Sequence, residues 1–260
     1  MSILISIPSR DRPELLQKGL REIYDTASDV KNFAIHGVID EDQVGLYQPL
    51  IAQYPNILWD FIPHQGGGMR HLYMRAFEKM MSTDHYFLWQ VCDDTYGYPK
   101  DWDKTILEKK KVFDDDCYCL YTITEIHARN NKVKASCYSI NHQRACDPPG
   151  QPVKPTDWAM FHGMGELSPV FAKQWVPFLK MFYDHSPCPG GNDMVTAALL
   201  QQLYMLHGHN RNVEVKIDNI NCINHYVNHH LMSVDKKPFT IKQVQFVANE
   251  MAKYIQSHAK

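Results

Sequence analysis

The sequence of 260 residues has few of the features that mark membrane-spanning, secreted or nucleic-acid-binding proteins. No apolar run approaches the length of about 20 residues that a transmembrane helix needs. The opening MSILISIP has no basic leader, and its apolar run is shorter than a signal peptide requires. The longest basic run is Lys109 to Lys111 and the net charge is −2, which gives no footprint for a nucleic-acid partner. We therefore expect a soluble protein without a nucleic-acid ligand, while peripheral docking on a membrane stays open.

Paired cysteine motifs are also missing. The seven cysteines are an odd number and contain no C-x-x-C pair, and the chain has no Asn-x-Ser/Thr acceptor. Cys117 and Cys119 would share one face of a strand, but no second pair stands near them to complete a zinc site. We expect reduced, mostly buried thiols and a cytoplasmic location.

The composition is that of a globular protein. Hydrophobic residues make up 44% and aromatic residues 12% of the chain, which is enough to fill a core. The length fits one large domain or two small ones. Since no internal repeat and no long linker occurs, we predict a single domain over residues 1–260.

Strand-like and helix-like segments alternate in the first part of the chain. Predicted strands cover residues 3–8, 33–39, 56–62 and 85–92, and predicted helices cover residues 12–27, 42–53 and 69–81. This alternation predicts right-handed crossovers and a mostly parallel sheet.

The pattern changes beyond residue 112. Residues 117–126 and 132–140 read as strands that could form an antiparallel pair, and the proline-bearing residues 147–156 read as a loop. The remaining predictions are helices over residues 168–183 and 192–208, a strand over 212–217 and a last helix near 240–257.

A polar cluster follows each of the four predicted parallel strands: SRDRP, DEDQ, HQGGG and CDD. Ligands of parallel sheets bind beyond the carboxyl ends of the strands, so these clusters predict a binding site. The adjacent carboxylates of Asp93 and Asp94 repel each other and must either stay solvated in a turn or meet a cation.

In their order along the chain, SIPSRDRPELL, GGGMRHLYMRAF, CDDT, NDMVTAALL and NHYVNHH resemble segments of the GT-A nucleotide-sugar glycosyltransferases, particularly the family 2-like group. The resemblance implies an α/β GT-A (Rossmann-like) fold, with a mostly parallel central sheet flanked by helices and a small antiparallel element in the C-terminal half. It also implies a nucleotide-binding half, residues 1–112, and an acceptor-binding half, residues 113–260. The implied activity is transfer of a sugar from a nucleotide-sugar donor, with UDP favoured, to a hydroxyl of a glycan or other acceptor.

The resemblance also implies which residues contact the donor nucleotide. Glycines would let the backbone approach the ligand, and a helix N-terminus favours a pyrophosphate. The implied nucleotide-binding residues are Pro8, Ser9, Arg10, Arg12, Asp40, Gly67, Arg70 and Asp93.

CDDT stands where the family keeps its D-x-D motif, which implies a Mn²⁺ or Mg²⁺ cofactor held by Asp94 and, later in the chain, by His225. These hard cations take oxygen ligands from carboxylates and phosphates. Thr95 departs from the full acidic pattern, so the roles of the two aspartates stay open, as does a purely structural role for His225.

Asp193 corresponds to the family acid that removes a proton from the acceptor hydroxyl. Asn and Asp are also ordinary helix caps, and Asn192 could fill that role while Asp193 does chemistry. The acceptor side is assigned to Trp158, Gly163 and Glu166, although tryptophans here could simply pack. Relatives of this group invert at the anomeric carbon.

Two other functions remain compatible with the sequence. A sugar-nucleotide nucleotidyltransferase shares the order of strands and helices, but its opening loop is usually glycine-rich, and PSRDRP has no glycine. A catalytically inactive GT-A-like binding module is the other, since Thr95 departs from the motif.

Overall fold

The computed structural model describes residues 2–65, 70–93, 95–96, 98–110, 119–125, 170–185 and 212–222, with isolated positions 249 and 253. Within these ranges the strands are β1 (Ile3–Ser9), β2 (Phe33–Asp40), β3 (Leu58–Ile62), β4 (Phe87–Gln90), β5 (Thr95–Tyr96), β6 (Cys119–Glu125), β7 (Val170–Ala172) and β8 (Asn212–Cys222). The helices are α1 (Pro13–Thr26), α2 (Val44–Gln53), α3 (Arg70–Met81), α4 (Trp102–Leu107) and α5 (Val176–His185).

The described strands form one sheet of eight strands in the order β3-β2-β1-β4-β7-β6-β8-β5. Strands β3, β2, β1 and β4 are mutually parallel, as the alternation of strands and helices predicts. Strand β7 then runs antiparallel to both β4 and β6, and β6 pairs parallel with β8. The mostly parallel sheet with an antiparallel element in the C-terminal half is therefore confirmed.

Strands β1, β2 and β4 of the parallel half are buried on both faces, which explains why they read as continuous apolar runs, whereas the edge strand β3 is partly exposed. All seven residues of β1 are buried, as are the four of β4. Helix α1 begins with Pro13 in its first turn and buries Leu16, Leu20 and Ile23. The 3.6-residue period of these positions places them on one face, so α1 packs on the sheet along that face.

Gly19 allows helix α1 to lie directly against the chain that follows β4. A Cβ at this position would lie 3.0 Å from the carbonyl oxygen of Thr95 and 4.0 Å from that of Asp93. A larger residue would have to push the two segments apart. The glycine therefore helps to fix the position of the chain that carries Asp93.

An aromatic cluster closes the core on the same side. The ring of Trp102 lies 5.2 Å from those of Phe33 and Trp89, and Trp89 lies 5.6 Å from Tyr98, measured between centroids. Trp89 and Trp102 are fully buried. This packing anchors α4 beneath the sheet and so restrains the loop between β4 and α4.

One prediction for the second half is wrong, and several others fall on residues that the structure does not describe. The segment over residues 168–183 was expected to be one helix, but its start is the strand β7 and only Val176–His185 is α-helical. Residues 132–140, 147–156 and 192–208 lie outside the described residues, as does the last helix apart from positions 249 and 253, which are helical. None of the described helices combines the length and the apolar character needed to cross a membrane.

Candidate functional site

The candidate site lies at the carboxyl ends of the four parallel strands, where the sequence places its polar clusters. Ser9 and Asp40 are the last residues of β1 and β2. His64 follows β3 by two positions, and Asp93 follows β4 by three positions. Because parallel strands end at one edge of the sheet, these side chains from distant parts of the sequence come together there.

Asp93 is the centre of a first cluster, formed with the turn after β1. Its Oδ2 accepts hydrogen bonds from Ser9 Oγ at 2.6 Å and from Arg12 Nε at 3.1 Å. Its Oδ1 lies 2.5 Å from Arg12 Nη2. Tyr47 of α2 completes the cluster, because its hydroxyl lies 2.7 Å from Ser9 Oγ and accepts from the backbone N–H of Arg12 at 3.1 Å. This network ties the ends of β1 and β4 together.

Asp40 is the centre of a second cluster. Its Oδ2 accepts from Arg10 Nη1 at 2.7 Å and lies 3.0 Å from His64 Nδ1, while its Oδ1 lies 3.1 Å from His71 Nε2. Arg10 also binds Asp42 through both terminal nitrogens, each at 2.8 Å. The cluster therefore joins the end of β1, the end of β2, the chain after β3 and the start of α3.

The two arginines of the SRDRP turn reach different carboxylates because of the residue between them. Asp11 has a φ of 59°, in the left-handed region that non-glycine residues seldom adopt. Arg10 on one side binds Asp40, and Arg12 on the other binds Asp93. The strained residue thus distributes two guanidinium groups between two strand ends.

Both carboxylates are almost completely buried, and their charges are held by protein cations. The side chains of Asp40 and Asp93 are 2% and 1% exposed, whereas those of Arg10 and Arg12 are each 32% exposed. Burial alone would raise the pKa of Asp40, but hydrogen bonds from His71, Arg10 and His64 outweigh it and lower that pKa. The bonds to Asp42 and Asp40 raise the pKa of Arg10 further above its already high value. About a third of each arginine side chain nevertheless stays exposed at the site.

The burial of Asp93 leads to a prediction about its partner Arg12. Arg12→Ala leaves a buried carboxylate without its cation, and we expect the free energy of unfolding to fall by about 2–3 kcal/mol, below the usual 3–5 because Arg12 is partly exposed. Asp93→Asn leaves a guanidinium that water can still solvate, so its cost should be nearer about 1 kcal/mol. The double variant should then be more stable than Arg12→Ala alone. Urea unfolding of the four proteins measures this, and a double variant less stable than Arg12→Ala would contradict it.

A third polar network lies beneath the site and is structural. His36 of β2 lies 3.3 Å from Ser6 Oγ through Nδ1 and 3.4 Å from Asp60 Oδ2 through Nε2. Arg75 of α3 binds Asp60 at 2.9 Å and Glu78 at 2.8 Å. The side chain of His36 is completely buried, so the row of serine, histidine and aspartate has no surface on which to receive a substrate.

The structure brings together most of the predicted nucleotide-binding residues that it describes. Ser9, Arg10, Arg12, Asp40 and Asp93 meet at the strand ends, and Pro8 lies buried in β1 beside them. Arg70 begins α3, but its side chain is not among those described. The other predicted site residues lie outside the described residues: Gly67, Asp94, Trp158, Gly163, Glu166, Asp193 and His225.

Four residues of the site were not identified from the sequence: Asp42, Tyr47, His64 and His71. The two histidines stand on either side of the glycine-rich HQGGGMRH segment, and this spacing is the one sequence signal that could have suggested them. Tyr47 carried no such signal, because it lies on a helix whose other buried residue, Leu50, belongs to the core.

Among the described residues, one group has side chains that could hold a metal ion. A ligand atom from each of Asp40, His64 and His71 lies within 4.8 Å of the others. The predicted Mn²⁺ or Mg²⁺ ligands are two other residues, Asp94 and His225. Both lie outside the described residues. Asp93 lies next to that predicted centre, but its carboxylate is already bound by Arg12 and Ser9.

Solved structures with a similar fold come from TarS of Staphylococcus aureus, a GT-A-type glycosyltransferase. A structure of its residues 1–349 matches with a TM-score of 0.55 and 12% identity over 98% of this chain and 72% of that one. The same TarS region in complex with UDP matches with a TM-score of 0.54 and 13% identity, covering 98% of this chain and 72% of that chain. The chain has the GT-A fold.

The likeness to TarS is one of fold. The structure of TarS 1–349 in complex with UDP-GlcNAc matches with a TM-score of 0.54 at 12% identity, covering 98% of this chain and 73% of that one. A longer TarS structure matches over 99% of this chain, which spans 44% of it. No protein-family profile and no curated protein sequence matches the chain. The candidate site thus lies at the strand ends of a GT-A fold. TarS, which shares that fold, has been solved in complex with UDP and with UDP-GlcNAc.

Proposed function

We propose that this protein is a metal-dependent glycosyltransferase, which moves a sugar from a UDP-sugar donor to an acceptor hydroxyl with inversion. The observation that carries the proposal is the pair of buried carboxylates, Asp40 and Asp93, each bound to a partly exposed arginine of the turn after β1, the strand that lies between β2 and β4. The solved TarS structures with UDP and UDP-GlcNAc, which share the fold, support the choice of donor.

Asp40, Arg10 and Arg12 offer the hydrogen-bonding groups that binding of a nucleoside diphosphate requires. A carboxylate kept charged at the end of β2 can accept an N–H from the base. The exposed parts of Arg10 and Arg12 can donate to sugar or phosphate oxygens, since a guanidinium presents several donors in a fixed plane. Pro8, Ser9, Gly67 and Arg70 would complete the nucleotide pocket, and residues 113–260 would supply the acceptor side.

The Mn²⁺ or Mg²⁺ ion would be held by Asp94 and His225, with Asp93 beside it. Such an ion, when bound, neutralises the diphosphate as the sugar leaves. Asp193 would take the proton of the acceptor hydroxyl, which makes that oxygen a better nucleophile. Trp158, Gly163 and Glu166 would orient the acceptor. We infer a cytoplasmic location from seven cysteines that include no C-x-x-C pair.

The test of the proposal is calorimetric titration of UDP in Mn²⁺ or Mg²⁺ and again in EDTA. We expect binding with either ion and a loss of most of the affinity in EDTA, because the ion bridges the diphosphate to the protein. Asp40→Ala should weaken UDP binding with the fold intact, as circular dichroism would verify. Asp25→Ala is the matched control, since that carboxylate is 65% exposed on α1 and distant from the strand ends.

Two outcomes would contradict the proposal. Equal affinity for UDP in EDTA would exclude a metal-bridged diphosphate, and unchanged affinity in Asp40→Ala would place the base elsewhere. Incubation with UDP-GlcNAc and other UDP-sugars then separates the remaining functions. Release of UDP identifies a transferase, whereas an inactive module would bind without releasing UDP, and a nucleotidyltransferase would instead consume a nucleoside triphosphate and a sugar phosphate.

A further inference from the structure

Asp40, His64 and His71 form a cluster of metal-ligating groups, of which the proposed sugar transfer uses only Asp40. One carboxylate oxygen and one nitrogen from each imidazole lie within 4.8 Å of one another. The three residues come from the end of β2, the chain after β3 and the first turn of α3. Three separate segments therefore direct potential ligands at one point.

We propose that Asp40, His64 and His71 bind one divalent transition-metal ion, of which Zn²⁺ fits best. Two imidazoles and one carboxylate are a ligand set typical of zinc, with a fourth position left for water. Mg²⁺ prefers a shell of oxygen atoms, so this set discriminates against it. Its ligands are different residues from Asp94 and His225, which are inferred to hold the Mn²⁺ or Mg²⁺ ion.

The distances are close to those of a metal-bound arrangement. Asp40 Oδ2 lies 3.0 Å from His64 Nδ1 and its Oδ1 lies 3.1 Å from His71 Nε2, while a single carboxylate oxygen and the two nitrogens lie within 4.8 Å of one another. Ligands of a tetrahedral ion with bonds of about 2.0–2.1 Å are separated by about 3.3 Å. The imidazole rings stand nearly at right angles, with centroids 6.2 Å apart, so they can face one ion from different directions. The three ligand atoms would have to draw together from within 4.8 Å to complete the site.

The two histidines differ in exposure in a way that suits metal entry. The side chain of His71 is 9% exposed and that of Asp40 is 2% exposed, so these two ligands are held in place by their surroundings. His64 is 40% exposed and can rotate to admit an ion from solvent. The bound metal would link the end of β3 to the start of α3, on either side of the glycine-rich segment.

Arg10 would have to move away from Asp40 and His64 when the metal binds. Its Nη1 lies 2.7 Å from Asp40 Oδ2 and 3.3 Å from His64 Nδ1, where a bound cation would repel it. Arg10 nevertheless has a second carboxylate partner, because Asp42 binds both of its terminal nitrogens at 2.8 Å. It can leave Asp40 and remain ion-paired, which limits the cost of the exchange.

The test is titration of the protein with Co²⁺, whose visible absorption reports tetrahedral nitrogen and oxygen ligation, followed by displacement with Zn²⁺. We expect one Co²⁺ site in the wild type, displaced by Zn²⁺ and unaffected by excess Mg²⁺. His64→Gln and His71→Gln should each weaken it by roughly 100-fold or more, because loss of even an outer-shell partner costs about 10–100-fold. His85→Gln is the matched control, since that histidine bonds Ser2 and lies before β4.

The control is needed because the chain has 14 histidines, any of which could bind cobalt. Absence of tetrahedral Co²⁺ binding in the wild type would overturn the inference. So would affinity in His64→Gln equal to that of His85→Gln, which would move the ion to other histidines. If His71→Gln does not fold, His64→Gln still decides, because its side chain is exposed enough to be replaced without disturbing the core.

A consequence for nucleotide binding rests on the proposed function. If Asp40 contacts the base, Zn²⁺ at this cluster should raise the apparent Kd of UDP measured with saturating Mg²⁺, and His64→Gln should abolish that effect. The metal site and the contact of Asp40 with the base are contradicted by different results. Loss of the cobalt spectrum overturns the metal site alone, whereas a confirmed metal that leaves UDP affinity unchanged moves the base away from Asp40.

Discussion

Asp193→Asn is expected to leave UDP and metal binding nearly normal and to lower sugar transfer by roughly 10²–10⁴-fold, the range for loss of a general base. The substitution keeps the size of the side chain and its ability to cap a helix, but it removes the proton acceptor. A base that acts on the acceptor matters in the transition state and little for donor affinity. The measurement is the rate of UDP release from whichever UDP-sugar the wild type hydrolyses, with water as the acceptor.

Two further variants make this result specific. Asp184→Asn is the matched control, because Asp184 is a surface carboxylate of α5, 2.9 Å from Lys180, and its loss should not change turnover. Asp94→Asn should instead lose metal-dependent UDP binding and transfer together, since it removes a proposed metal ligand. Wild-type turnover in Asp193→Asn would show that another residue is the base and that NDMVTAALL was misassigned.

The parallel half of the fold could be predicted because its signals are local. Strands β1 and β2 are buried along their length and so read as apolar runs, and α1 shows a single apolar face after Pro13. Parallel neighbours joined by helices leave few possible arrangements. The ends of the elements were less certain, and β4 proved to be Phe87–Gln90, shorter than the predicted 85–92.

Strand β7 shows where local signals fail. Val170, Phe171 and Ala172 form a short apolar run, and such a run cannot be distinguished from a turn of buried helix by its period. What makes it a strand is the position between β4 and β6, both of which it pairs in antiparallel register. That position depends on contacts across 50 to 85 residues of sequence, which no window of local pattern contains.

The site could be located from the sequence, but which arginine binds which carboxylate could not be predicted. The clusters that contain Ser9, Arg10, Arg12, Asp40 and Asp93 stood out because each follows a predicted strand, and the resemblance to the GT-A family implied these residues within them. That Arg10 binds Asp40 while Arg12 binds Asp93 depends on the backbone of Asp11 and on which strand ends adjoin. His64 and His71 join the site for the same geometric reason, and so the candidate metal cluster emerges only in three dimensions.

The buried His36 should make the protein lose stability in mild acid. Burial lowers the pKa of His36 to about 4, despite the opposing hydrogen bond that His36 donates to Asp60. An unfolded histidine takes up a proton near pH 6.5, so below that pH the unfolded state gains protons that the folded state does not. His36 therefore contributes its full stability above pH 6.5 and loses it as the pH falls toward about 4. The difference between the folded and unfolded pKa values of His36 corresponds to about 3 kcal/mol of unfolding free energy. That is a large part of the 5–15 kcal/mol typical of a domain.

The loss of stability due to His36 occurs at higher pH than the losses due to the carboxylates. The pKa values of Asp40, Asp60 and Asp103 are lowered, so their contributions are lost only as the pH falls below about 4. His36→Gln should lower the free energy of unfolding at pH 7, yet make it depend much less on pH between 6.5 and 4.5. Half-buried His85 also has a lowered pKa through burial, and His85→Gln should flatten the curve less. Urea unfolding at several pH values measures the slopes, and a wild-type slope in His36→Gln would mean that His36 titrates alike in the folded and unfolded states.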